Sequence, residues 1–206
     1  MSELLDAMRC YFAKIPSPSY YRLLAGHYAF PKNPDAVKRV LSGEYLFPRQ
    51  ELPDFNSFER EFGFPLPDVL KEFFSYYHPN IEGRHTQCPF LNDIDGFRTH
   101  ESLSDDDLEG FIGRMRFCVK WFPNFSNEMR YIPIGYIDGY VDAVNDFIWM
   151  ERSTGRIFFE WNKQSDGSLY VDNEGHCIEG NIYPKPIAES LTEFIRALEP
   201  YTYKNM

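Results

Sequence analysis

The chain has 206 residues, a net charge of −10, and many aromatics, including 19 Phe and 14 Tyr. A disordered chain lacks the apolar surface to build a core, and a nucleic-acid binder needs a basic stripe; this composition argues against both. No apolar run reaches the ~18 residues of a membrane span, and one domain is the expectation at this length.

The charge is uneven, at +3 over residues 1–50 and −13 over residues 51–206. Glu3 and Asp6 stand where a secretory signal would carry basic charge, so a cytoplasmic chain is expected. Ser2 is a candidate N-cap for a helix on which Leu4, Leu5, Met8, Tyr11 and Phe12 recur at helical spacing, ended by Pro16 and Pro18. A short helix is predicted from Pro34 to Leu41, stopping at Gly43. Residues 47–53, with Pro48 and Pro53, read as a linker or extended connection. Asp54 caps a predicted helix bearing Phe55, Phe58 and Phe62, and Gly63 terminates it. Pro67 suits the first turn of the next helix, whose Val69, Leu70, Phe73, Phe74 and Tyr77 form one apolar face. A further helix is predicted from Ser104, with Leu108, Phe111, Ile112 and Met115 as its stripe.

After Arg130 the apolar period changes. YIPIG (131–135), DFIWME (146–151) and GRIFFEW (155–161) are short runs of aromatic and branched residues, and Ser153-Thr154-Gly155 fits a hairpin loop between the last two. Trp149 and Trp161 fall in that hairpin and are read as core. Pro186 opens a final predicted helix with Leu191, Phe194, Ile195 and Leu198 on one face. Helices, then strands, then a closing helix predict an α+β fold with a mostly antiparallel sheet.

Chemistry-bearing motifs are sparse. Cys10, Cys88, Cys118 and Cys177 show no CxxC spacing and read as free thiols; His85 with Cys88, and His176 with Cys177, lack the spacing of a zinc finger or ribbon. Asp93-x-Asp95-Gly96 lacks the remaining ligand positions of a calcium loop. There is no GxSxG, HExxH or P-loop, so no catalytic residue, metal or cofactor is expected. Two acidic clusters stand out. Asp105, Asp106 and Asp107 follow Ser104, where a helix dipole favours anions, and they serve either that helix end or a basic partner. The loop GYIDGYVDAVND places Asp138, Asp142 and Asp146 beside Tyr136 and Tyr140. Tyrosines among acids suit a protein interface, the other reading being a solvated loop of turn-forming pairs.

Three of these segments carry a resemblance. FNSFEREFGFPLPDVLKEFFSYYH (55–78) resembles the opening of the SUKH superfamily, in which a helix, a glycine and an LP step lead to a helix ending in aromatics. YIPIG followed by DFIWMERSTGRIFFEW (146–161) resembles its hairpin, and IAESLTEFIRAL (187–198) its closing helix. The resemblance spans about residues 54–199; Asp146 matches the acid at the strand start, while residues 1–50 and 81–100 match nothing in the pattern. It implies a SUKH-like α+β domain over residues 51–206. Residues 1–50 match nothing in the pattern, but their Leu4, Leu5, Met8 and Phe12 need burial, so they are expected to pack on that domain as a helical extension. The resemblance also implies a non-enzymatic bacterial immunity protein that binds a polymorphic toxin, often a nuclease. A basic toxin would meet Tyr136, Asp138, Tyr140, Asp142 and Asp146, with Asp105–Asp107 as a secondary contact. The chain would be a monomer or weak dimer without nucleic-acid or membrane partners. The superfamily also holds yeast regulators of cell-wall glucan synthesis, and a regulatory scaffold of that type is the alternative.

Overall fold

The computed structural model describes residues 2–15, 34–78, 81–85, 97–98, 108–121, 130–137, 146–161, 181–182 and 185–200. The helices are α1 (Glu3–Ala13), α2 (Pro34–Leu41), α3 (Phe55–Phe62), α4 (Asp68–Phe74), α5 (Leu108–Trp121) and α6 (Leu191–Arg196). The strands are β1 (Phe47–Pro48), β2 (Tyr76–Tyr77), β3 (Glu82–His85), β4 (Phe97–Arg98), β5 (Tyr131–Ile137), β6 (Asp146–Glu151), β7 (Ile157–Trp161), β8 (Asn181–Ile182) and β9 (Leu198–Glu199). The fold is α+β. One sheet runs β8-β7-β6-β5-β4-β3-β9 with antiparallel neighbours throughout, and β1 and β2 form a separate antiparallel ribbon.

Helix ends follow local side-chain chemistry. The Leu5 N–H donates to Ser2 Oγ at 3.2 Å, and Glu3 and Asp6 lie in the first turn, where the dipole favours them. The Asn56 N–H donates to Asp54 Oδ1 at 3.1 Å, and α3 stops at Gly63, whose φ of 76° is the left-handed conformation that glycine adopts at least cost. α6 begins later than expected. Ser190 is its N-cap, and Pro186 lies outside the helix, because residues 187–188 are held instead by Ile157: the Ile187 N–H donates to Ile157 O, and the Ile157 N–H to Ala188 O. Pro67 likewise occupies the N-cap position of α4, ahead of its first turn.

Two further apolar residues leave the helices assigned to them. Tyr77 pairs with Phe47 in the β1–β2 ribbon, and Leu198 pairs with His85 in the sheet. Each helix stops about one turn early and passes its chain directly into a strand. The 47–53 stretch is extended as expected, yet its start is stapled down: Phe47 is buried, with the Arg39 guanidinium 3.6 Å from its ring centre and the Tyr77 ring at 5.3 Å. Residues 81–100, outside the resemblance, contribute β3 and β4 to the interior of the sheet order.

One core cluster joins the layers. Ala7, Met8 and Tyr11 of α1 share it with Phe58 of α3, Phe73 and Phe74 of α4, Phe111 and Met115 of α5, and Phe194 and Ile195 of α6. The sheet supplies Ile132, Ile134, Ile148, Met150, Ile157 and Phe159. The Phe111 ring lies 5.8 Å from Phe58 and 5.4 Å from Phe74, which ties α3, α4 and α5 to one another. Residues 2–15 are therefore not a detached arm. Asp6 pairs with Arg196 at 3.2 Å and Lys14 with Glu199 at 2.7 Å, and Ser2 Oγ is hydrogen-bonded to Glu72, so polar contacts hold both ends of α1. Trp149 is 1% exposed and lies outside this cluster, as the alternation between Ile148 and Met150 requires; its register partners are Pro133 and Phe158.

Candidate functional site

The β5–β6 hairpin holds two of the predicted interaction residues, Tyr136 and Asp146. Its register shifts between Pro133 and Gly135, so YIPIG forms a bulge. A proline lacks the N–H that a ladder needs, and a bulge is where a strand tolerates it. Beyond the bulge Tyr136 pairs with Phe147 and Ile137 with Asp146, while β4 adds Arg98 opposite Tyr136 and Phe97 opposite Ile137. Tyr136 and Asp146 thus occupy successive rows at one end of the hairpin. Asp146 is the first residue of β6. Asp138, Tyr140 and Asp142 belong to the connection between those strands and lie outside the described residues. Asp105, Asp106 and Asp107 also lie outside them, as does Ser104; the described part of α5 begins at Leu108.

The opposite end of the hairpin holds a polar network not singled out in the sequence. From the Tyr131–Glu151 pair to the Ile137–Asp146 pair the strands extend about 20 Å. Glu151 ends β6 with only 7% of its surface exposed. Its Oε1 accepts from Arg130 Nε at 3.0 Å and Nη2 at 2.7 Å, and its Oε2 accepts from the Thr154 hydroxyl at 2.7 Å. The Thr154 hydrogen bond foremost, then Arg130 and the nearby charge of Arg156, hold the Glu151 carboxyl below its usual range, with burial opposing them. The turn is closed by the backbone as well. The Gly155 N–H donates to Glu151 O and the Glu151 N–H to Arg156 O, both at 2.8 Å, with Gly155 at φ 75°. Arg152 donates its N–H to Arg130 O at 2.8 Å, and Arg156 pairs with Glu189 at 2.9 Å. The signal in the sequence was the spacing E-R-S-T-G-R: a carboxylate at a strand end, a hydroxyl three residues on, and flanking arginines.

Among the described residues no group of three His, Cys, Asp or Glu side chains could hold a metal ion, and no helix is long and apolar enough to cross a membrane. Cys10 is an exposed free thiol and Cys118 a buried one; Cys88, His176 and Cys177 lie outside the described residues. Comparison with protein-family models, with curated proteins and with solved structures finds no match for this chain.

Proposed function

We propose that this chain is a non-enzymatic, SUKH-like immunity protein that neutralises a basic toxin by occluding its active surface. The observation that carries this reading is the hairpin register. It sets Tyr136 and Asp146 at the strand end where the chain carrying Asp138, Tyr140 and Asp142 joins β5 to β6. Tyrosine supplies contact area and carboxylates supply steering toward a basic surface. The net charge of −10 adds a long-range attraction of the same sign. Neutralisation by occlusion needs no cofactor. The chain would act in the cytoplasm as a monomer or weak dimer. The test is inhibition of a basic toxin encoded beside this gene, measured with purified proteins across a salt series. Stoichiometric inhibition that weakens with salt is expected; an unaffected toxin overturns the reading.

A further inference from the structure

We propose that Arg152, at the start of the β6–β7 turn, takes a phosphate or carboxylate group. The inference does not rest on the toxin reading, since this turn and the Ile137–Asp146 pair stand at opposite ends of the β5–β6 ladder. Arg152 is exposed, and its guanidinium carbon lies 4.5 Å from the centre of the Phe64 ring. Phe64 is buried and acts as a fixed platform. Stacking fixes the plane of a guanidinium without consuming its N–H edges, which stay available for a bidentate oxyanion.

Among the described residues, most other arginines are engaged differently from Arg152. Arg39, Arg60, Arg116, Arg130, Arg156 and Arg196 each pair with a carboxylate. Among the described residues Arg152 forms no such pair. Arg49 also stacks on an aromatic ring, Tyr77, at 4.1 Å, but its Nε is buried and without a hydrogen-bond partner, so its fork is closed to a ligand on that side. Around Arg152 the frame is rigid. Its N–H is tied to Arg130 O, and the turn is locked by the Glu151–Thr154 hydrogen bond and the Gly155 conformation.

The test uses the full chain labelled with 15N. Inorganic phosphate and acetate are titrated separately at constant ionic strength, while the Arg152 Nε–H signal and the amides of residues 152–156 are followed. Saturable shifts at these signals are expected, with affinity about ten-fold weaker in Arg152→Gln and unchanged in Arg49→Gln. Tighter phosphate binding assigns a phosphoryl group, and tighter acetate binding a carboxylate; either supports the site. Arg152→Lys keeps the charge without the fork and should fall between wild type and Arg152→Gln. Shifts reproduced by chloride, or affinity retained in Arg152→Gln, overturn the proposal. The backbone spectrum of each variant shows directly whether it is folded.

Discussion

At Glu151 one buried carboxylate joins three pieces of chain: Arg130 ahead of β5, its own strand end, and Thr154 in the turn. Removing its charge leaves those donors without a charged acceptor, so Glu151→Gln should cost about 1–2 kcal/mol near neutral pH. The pH dependence fixes the sign. Its folded pKa lies below the ordinary 4.5, so the carboxylate's contribution is fully present above that value and is lost as pH falls through the lowered one. Urea melts of wild type and Glu151→Gln should therefore differ most at neutral pH and converge in acid. A gap that widens on acidification would contradict this assignment. Gly155 tests the same turn from its backbone. A Cβ there would meet nothing within 4 Å, so Gly155→Ala meets only left-handed strain, about 1 kcal/mol in a thermal melt. A much larger loss would mean that the side chain does collide.

α1 shows how packing outweighs charge at the level of an element. Met8 has no exposed surface, and Met8→Ala should cost about 2–5 kcal/mol by opening a cavity. Asp6→Asn removes an ion pair whose side chains are 53% and 44% exposed, and should change stability by less than about 1 kcal/mol. Equilibrium unfolding of both variants checks the ordering, and equal effects would argue that α1 is held by charge. Elements such as α1 and α3 were legible because Ser2, Asp54 and Gly63 act on backbone groups within four residues. The fates of Tyr77, Leu198 and Pro186 were not, since each depends on a partner far along the chain: Phe47, His85 and the β7 residue Ile157. Strands of two residues, such as β4, β8 and β9, also carry no period to read. The candidate site divides in the same way. The hairpin and its Asp146 start followed from a local period, whereas the Glu151 network needed Arg130 brought across the ladder.

Across the whole molecule, the acids fall into groups with different internal uses, and that difference decides where a basic partner should be felt. Asp54, Glu61 and Glu151 are engaged by Arg60, Arg116 and Arg130. Asp105–Asp107 stand directly ahead of α5 in the chain, where a helix N-terminus favours negative charge. Asp138 and Asp142 fall in the sequence between β5 and β6, in a stretch that carries no helix-start signal. Replacing Asp138 and Asp142 with Asn preserves volume and should leave the melting curve near wild type, within about 0.5 kcal/mol. Association with a basic toxin should slow, and its salt dependence should shrink, because steering comes from charge that faces the partner. Replacing Asp105 and Asp107 with Asn should instead cost about 0.3–1 kcal/mol of stability for each lost dipole interaction, with a smaller change in association rate. Stopped-flow binding and thermal melts of the two double variants, run across one salt series, separate the cases. A loop variant that melts early yet binds at the wild-type rate, beside a helix variant that does the reverse, would place the partner surface at the start of α5 instead of at the β5–β6 connection.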